Sequence, residues 1–366
     1  MAHSHLTEAK KTKNDEFYTQ YADIQKEIEA YLEYDANVFR GKSVYCNCDD
    51  PFESNFFRYF VLNFTRLGLK QLITTSYKPS PIANTQLGLF GDDKTILPAK
   101  GRPKVTANKF IINTVGDIDD DGDFTLKKIA EQLKANQNNE WAPLEGDGDF
   151  RSPECIELLE RSDIVVTNPP FSLFREYLKQ LVDYGKLLVV IGNMNAITYK
   201  EIFPLIKDNR LWLGATGNGS DMVFAVPSGV EVAESDRQKA ARLGYVGDYT
   251  RLGNSCWFTN LDHGRRHQPL SLMTMADNLK FNKKLRGKAA YDQYDNYDAI
   301  EVPFTDAIPS DFDGAMGVPI SFLDKYSPEQ FEIIKFRHGN DDKDLRLKDG
   351  TCPYFRILIK HRKAAS

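Results

Sequence analysis

Asn168-Pro169-Pro170-Phe171 sets an amide, two rigid rings and an aromatic face at the end of an apolar run, Asp163 to Thr167. The first proline confines Asn168 to extended geometry, and neither proline has an N–H to donate. Competing donors are therefore removed, and the Asn168 amide oxygen and the Pro169 carbonyl stand as fixed acceptors. Phe171 adds a flat apolar surface. Two acceptors beside a ring suit a planar primary amine, which donates both its N–H bonds while its own ring stacks. A purely structural turn is the other use of the same four residues.

Such a corner needs a strand before it and a helix after it, and the flanking sequence supplies both. "DIVVT" is a nearly all-apolar strand of the kind buried in parallel sheets. Leu173, Phe174, Tyr177, Leu178 and Leu181 mark a helix face behind the corner. Upstream, Asp23 to Tyr34 is amphipathic at helical spacing and Lys42 to Cys48 is a strand. A helix through about Leu67 follows, carrying Phe56, Phe57, Phe60, Val61 and Phe64, and then a strand at Lys70 to Ser76. A Pro/Gly-rich insertion covers about 78–107, and "KFIINTV" after it is a strand. Gly116 to Asp123 is an exposed acidic loop, like a calcium loop only superficially, because no glutamate falls at the twelfth position. Leu126, Ile129, Ala130 and Leu133 mark another helix, and "GDGDFRS" is a turn capped into a short helix at Pro153. Lys186 to Gly192 is a buried strand, and Ile197 to Ile206 a helix. "MVFAV" and "SCWFTN" are expected to close the sheet as an antiparallel pair.

Strands and helices thus alternate from Lys42 to Ile206, which predicts an open α/β sheet with helices on both faces. In such sheets ligands bind outside the carboxyl ends of the strands. Three polar, turn-forming clusters fall at predicted strand ends: Asp49-Asp50-Pro51, Gly148-Asp149-Phe150 and Asn168-Pro169-Pro170-Phe171. They are expected on one rim.

A chain of 366 residues, 41% hydrophobic and 12% aromatic, accommodates one large domain and a smaller one. No apolar run reaches the ~18–20 residues that span a bilayer, and the N-terminus lacks a signal-peptide core, so no membrane partner is expected. Residues 1–13 read as a disordered leader. Five cysteines, Cys46, Cys48, Cys155, Cys256 and Cys352, fit reduced thiols in a cytoplasmic setting. Cys256, His263 and His267 resemble half a zinc site with no second cysteine nearby, so no metal is expected. The net charge of −5 excludes a histone-like, wholly basic binder. Its distribution is uneven: Asn113 to Phe150 has ten acidic residues against three lysines, and Asp262 to Lys288 seven Lys/Arg against two Asp. From Lys335 onward the count is nine basic against four acidic. That pattern suits either a chain gripping a phosphate backbone with one end or ordinary solvated surface.

Asn-Pro-Pro-[Tyr/Phe] after an apolar strand resembles the signature of S-adenosylmethionine-dependent amino methyltransferases acting on adenine, cytosine or glutamine. Together with "KNDEFYTQYADI", "VYCNCDDPFESNFFRYF", "CWFTNLDHGRR" and "GVPISFLDKYSPEQFEII", it resembles the EcoRI-type adenine-specific DNA methyltransferases from about Asn14 to Ile334. The resemblance implies a Rossmann-like class I methyltransferase sheet over 14–260 and a DNA target-recognition region over 261–366. It implies N6-methylation of an adenine swung out of double-stranded DNA, in a restriction–modification pair or as a solitary or phage enzyme. By the same resemblance Asn168-Pro169-Pro170-Phe171 is the catalytic tetrad, in which Asn168 and Pro169 accept from the adenine amine and Phe171 stacks on the base, worth ~1–3 kcal/mol.

For the cofactor, S-adenosylmethionine, the resemblance implies Phe17, Tyr18 and Thr19, then Asp50, Pro51 and Phe52, then Asp149 and Phe150. Many relatives follow Asp-Pro-Phe with a glycine-rich turn, whereas this chain has Glu53-Ser54-Asn55-Phe56. Asn55 is expected among the methionine-end contacts. Asp117 competes with Asp149 for the adenosine end, and helix capping is the other reading of Asp50 and Asp149. Phe17 and Tyr18 also suit a core. DNA contacts are expected from Arg265, Arg266, Lys280, Lys283, Lys284, Arg286 and Lys288, while Tyr291, Tyr294 and Tyr297 are read as packing. A monomer is implied. A protein glutamine N5-methyltransferase shares the tetrad but needs neither the basic segments nor a target-recognition region.

Overall fold

The computed structural model describes residues 18–47, 54–76, 107–116, 136–216, 222–226, 232–337 and 344–362. The leader, most of the 78–107 insertion and most of the acidic 116–133 region, with its predicted helix, lie outside the described residues. The chain divides into two units, one of Met1–Met194 with Thr216–Leu261, the other of Asn195–Ala215 with Asp262–Ser366.

In the first unit, apolar runs become buried strands because both their faces are covered. In chain order the strands are β1 (Tyr18–Thr19), β2 (Ser43–Asn47), β3 (Gln71–Thr75), β4 (Asn108–Ile112), β5 (Glu140–Pro143, largely exposed), β6 (Ile164–Thr167) and β7 (Leu187–Asn193). β8 (Trp212–Leu213) lies in the second unit, and β9 (Val223–Ala225), β10 (Tyr249–Arg251) and β11 (Ser255–Thr259) return to the first. Within the first unit the large sheet runs β5-β4-β3-β2-β6-β7-β11. β3, β2, β6 and β7 are mutually parallel, while β4, β5 and β11 join antiparallel.

Successive strand residues face opposite sides. Val44, Cys46, Ile164, Val166, Val189 and Ile191 share one core with helices α1 (Tyr21–Tyr34), α2 (Asn55–Leu62) and α3 (Phe64–Leu67). Tyr45 faces the other way, toward Cys155 of α4 (Pro153–Arg161), whose thiol pKa is pushed up by burial. Helices therefore cover both faces. α5 (Phe174–Asp183) buries Phe174, Tyr177, Leu178 and Leu181, the face its spacing predicts.

Four expectations are corrected. The single helix through Leu67 breaks at Asn63, whose side chain donates to the Tyr59 carbonyl at 2.9 Å and competes with the helical ladder. The helix expected at 197–206 is a 3₁₀ turn, Met194–Thr198, and a short α6, Phe203–Lys207. Pro204 cannot donate into a preceding turn, so the helix restarts there. The alternation is interrupted by the antiparallel β4–β5 pair, in which Trp141 stacks on Phe110 at 5.7 Å. Finally, β9 and β11 are not partners. β9 sits between β1 and β10 in a separate three-stranded sheet. β11 pairs with β7, because fully buried Trp257 and Phe258 on its opposite faces need a sheet covered on both sides.

α7 (Glu234–Arg242) lies in the first unit and α8 (Met275–Phe281) belongs to the second. The second unit also holds β12 (Ala299–Glu301), β13 (Ala315–Pro319), β14 (Phe331–Arg337) and β15 (Arg356–His361), ordered β12-β13-β15-β14. Arg356 clasps buried Glu301 at 2.6 and 2.9 Å, and the Tyr294 hydroxyl donates to the same carboxylate. Tyr291 donates to the Ala307 carbonyl at 2.7 Å, and Tyr297 packs on the Tyr294 cluster. The tyrosine series is packing.

Candidate active site

The parallel strands β2, β3 and β6 end side by side at Asn47, Thr75 and Thr167, and a polar ladder crosslinks these ends. The Tyr45 hydroxyl lies 3.0 Å from Thr75 Oγ1, which donates to Asn47 Oδ1 at 3.0 Å. Thr167 Oγ1 donates to the Asn47 carbonyl. All four residues are buried, so each bond forms where water cannot compete and the rim is held rigid. None of Asn47, Thr75 or Thr167 was marked by the sequence reading. Their only signal was a polar residue ending each apolar run.

Asn168-Pro169-Pro170-Phe171 begins directly after Thr167. Pro169 is buried, whereas Asn168, Pro170 and Phe171 are half-buried and Ser172 is exposed, so the corner opens outward. Pro170 is extended (φ −53°, ψ 125°) and its carbonyl accepts from Leu173 N–H at 2.9 Å, turning the chain into α5. The first residue of α5, Phe174, lies across Gly192 of β7. A Cβ at position 192 would stand 2.4 Å from that ring, so only glycine admits so close an approach.

Phe171 meets Phe224 of β9 edge-on, with ring centroids 6.5 Å apart. β9 in turn pairs with β1, Tyr18 opposite Ala225 and Thr19 opposite Phe224. Asn55, at the start of α2, donates from Nδ2 to the Thr19 carbonyl at 2.8 Å. Thr19, Asn55 and Phe171 are thus linked through one small sheet. Thr19 Oγ1 is buried and has no hydrogen-bond partner among the described residues. An orphaned buried hydroxyl costs about 1–3 kcal/mol, which a ligand's polar group would offset.

Glu27, fully buried on the apolar stripe of α1, steadies the chain leading into β9. It accepts from Tyr31 Oη at 2.5 Å, Thr216 N at 2.7 Å and Thr216 Oγ1 at 2.6 Å. Burial and the adjacent carboxylate drive the Tyr31 pKa well up, so the phenol stays a donor. A carboxylate three residues after Ile24 and four before Tyr31, on the same buried helix stripe, was the available signal for it.

Asp149 and Phe150 stand on a turn pressed against the end of β3. Gly148 has φ +80°, and a Cβ there would fall 2.0 Å from the Ser76 carbonyl oxygen. Arg151 engages Asp149 through Nη2 at 2.6 Å and Nε at 2.8 Å, and the carboxylate beside it raises the guanidinium pKa. Asp149 is also a turn acceptor for Arg151 N–H at 2.9 Å. Phe150 is buried edge-on against Tyr177 with centroids 5.0 Å apart. The N-cap of α4 is Ser152 rather than Asp149. Phe17, Asp50, Pro51, Phe52 and Asp117 lie outside the described residues.

In the second unit Arg266 is buried, stacked 3.6 Å over Trp212 and bonded to Asp262 at 2.8 Å and to Asn209. Arg265 donates to Asp324 at 2.6 Å and to the Ala215 carbonyl at 2.8 Å. Both guanidinium groups are spent inside the unit. Lys280, Lys283, Lys284, Arg286 and Lys288 are exposed around the buried anchor Leu285. Lys284 reaches over Phe304 at 4.2 Å, and Lys288 pairs with Asp292. His263 Nε2 donates to the Leu213 carbonyl at 3.0 Å, and His267 bonds Asp262 and Glu329. Among the described residues no cluster of His, Cys, Asp or Glu could hold a metal, and no helix is long and apolar enough to cross a membrane.

Comparison with known proteins places the chain in a family. The family model described as adenine-specific methyltransferase EcoRI matches residues 5–362. The Type II methyltransferase M.EcoRI of Escherichia coli is 44% identical over 363 residues, 98% of this chain and 96% of its own length. The Type II methyltransferase M.MpnI of Mycoplasma pneumoniae is 34% identical over 379 residues, 98% of each chain. No solved structure gives a significant match.

Proposed function

We propose, from the premise that this chain belongs to the EcoRI family of adenine-specific methyltransferases, that it methylates the N6 amine of an adenine swung out of double-stranded DNA. The single observation carrying this reading is the outward-opening Asn168–Phe171 corner at the carboxyl end of a parallel strand. An amine paired and stacked in duplex DNA is out of reach of any such corner, so the base must leave the helix.

In this reading Asn168 Oδ1 and the Pro169 carbonyl accept hydrogen bonds from the two amine N–H groups, which draws the nitrogen lone pair out of conjugation. Phe171, braced edge-on by Phe224, stacks on the base. Little proton transfer precedes attack, so fixed positioning supplies most of the acceleration. The rigid ladder of Asn47, Thr75 and Thr167 suits that demand. S-adenosylmethionine, when bound, supplies an electrophilic sulfonium methyl group. The unpartnered Thr19 hydroxyl beside Asn55 fits a polar end of such a molecule, and Tyr18, Asp149 and Phe150 would complete its pocket with Phe17, Asp50, Pro51 and Phe52. The first unit is then a Rossmann-like class I methyltransferase domain and the second a target-recognition unit. Its exposed Lys280, Lys283, Lys284, Arg286 and Lys288 would meet phosphates, whereas Arg265 and Arg266 would first have to leave their internal partners.

The test is methyl transfer from labelled cofactor with duplex DNA and with protein extract offered separately. Label recovered as N6-methyladenine is expected. Label confined to protein glutamine would replace this reading with the glutamine N5-methyltransferase alternative.

A further inference from the structure

Outside the corner, the second unit carries a cavity of about 510 Å³ between α6 and β14, lined by Lys200, Phe203, Lys207, Asp208, Lys335 and Phe336 among others. Three ammonium groups and one carboxylate make its wall cationic in a chain whose net charge is −5. Lys200 is partly answered by Glu201 at 3.7 Å. Lys207 and Lys335 are exposed, and no described carboxylate pairs with either.

Two features show that this wall is built. The register of β14 shifts between Ile333 and Lys335, a bulge. In a regular strand adjacent residues face opposite sides; past the bulge Ile334, Lys335 and Phe336 all reach the cavity. The second feature is a run of aromatic rings leading out of it. Phe203 meets Phe336 at 5.1 Å, Phe336 meets Phe355 at 6.2 Å, and Phe355 meets Tyr354 at 4.0 Å. Phe355 is held at φ +25°, a strained value for a residue with a side chain. At the outer end Tyr354 is 74% exposed. A large ring kept out on a strained turn, joined by a run of rings to a cavity whose Lys207 and Lys335 have no described carboxylate partner, is the pairing of charge and stacking surface that nucleic acid meets.

We propose that this cleft is a DNA-docking surface of the second unit, with Lys207 and Lys335 on backbone phosphates and Tyr354 packed against an adjacent sugar or base. It rests on the reading above, that the substrate is duplex DNA. The ionic and non-ionic halves are separable by salt. Each phosphate contact releases counterions and adds about 0.9 to the slope of log affinity against log salt. Lys207→Gln combined with Lys335→Gln should therefore flatten the slope by roughly 2. Tyr354→Ala should weaken binding at every salt concentration and leave the slope as it was. Lys179→Gln, an exposed lysine of the first unit, should change neither. Circular dichroism on each variant establishes that it is folded.

Binding is measured by fluorescence anisotropy on a duplex that the wild-type protein methylates. If wild type methylates the duplex while the double-lysine slope equals its own, the cleft does not hold phosphates and the proposal is overturned with the enzymatic reading intact. If wild type methylates no DNA, the enzymatic reading fails and takes the cleft with it. A slope lowered by Lys179→Gln as much as by the pair would reduce the effect to overall charge and also overturn the proposal.

Discussion

At the scale of single residues, the corner works by limiting what its atoms can do. Proline removes donors and restricts Asn168 to extended backbone, and a buried Pro169 stands beside a half-buried Asn168. Asn168→Ala should thus keep cofactor affinity near wild type and slow methyl transfer roughly 5- to 150-fold, the equivalent of one hydrogen bond of ~1–3 kcal/mol. Equilibrium dialysis and single-turnover kinetics read the two quantities, and an unimpaired turnover would take Asn168 out of the chemistry. A second residue-scale expectation concerns His267. Burial opposes its charge, but carboxylates on both ring nitrogens, Asp262 at 2.9 Å and Glu329 at 2.8 Å, outweigh burial and raise its pKa above the ordinary 6.5. Its charged form accordingly stabilises the fold fully below about 6.5, and that contribution fades as pH climbs through the raised folded value. In NMR titrations the His267 midpoint should drop on Asp262→Asn. A midpoint that stays put would mean the carboxylate does not govern it.

Elements, rather than residues, decide where the site's pieces meet. The Asp149–Phe150 turn reaches the rim because Gly148, at φ +80°, lets it touch the Ser76 carbonyl. Gly148→Ala meets backbone, not a yielding side chain, so it should cost about 1–3 kcal/mol of stability and weaken cofactor binding together. Urea unfolding with parallel cofactor titration tests this, and a variant matching wild type in both would show the turn is free to move. The same scale explains what the sequence disclosed. β2, β6 and β7 were legible because strands buried on both faces are continuous apolar runs. The Asn168 tetrad was legible because its composition is poor for packing alone. Glu140-Trp141-Ala142-Pro143 was not, since four residues ending in proline show no alternation. The partners of β9 and β11 were not legible either, because a short apolar run declares a strand without declaring its neighbour. Asn47, Thr75, Glu27 and Phe224 owe their roles to residues as far as 189 positions away, and local pattern holds no trace of such a pairing.

On the scale of the whole molecule, the second unit is assembled from two stretches of chain. The resemblance implies a separate C-terminal region from 261 onward, yet Asn195–Ala215 belongs with it. The shorter stretch is structural. Trp212 supplies the face on which buried Arg266 rests, Asn209 takes one of its N–H groups, and the Leu213 carbonyl meets the His263 ring at 3.0 Å. Burial drives the His263 pKa down to about 4, so this imidazole is neutral and depends on that carbonyl rather than on a charge. Arg265 likewise needs the Ala215 carbonyl at 2.8 Å. Cutting the chain before Asp262 would leave Arg266 without two of these partners, and stripping a partner from a buried charge costs about 3–5 kcal/mol. Whole-domain stability is only about 5–15 kcal/mol, so that single loss is a large share of it. Residues 262–366 expressed alone should therefore give the collapsed amide spectrum of an unfolded chain. Joining 195–215 to the same fragment through a flexible linker should restore dispersed amide resonances. A well-dispersed spectrum from 262–366 by itself would mean that Trp212 and Asn209 decorate the unit instead of completing it.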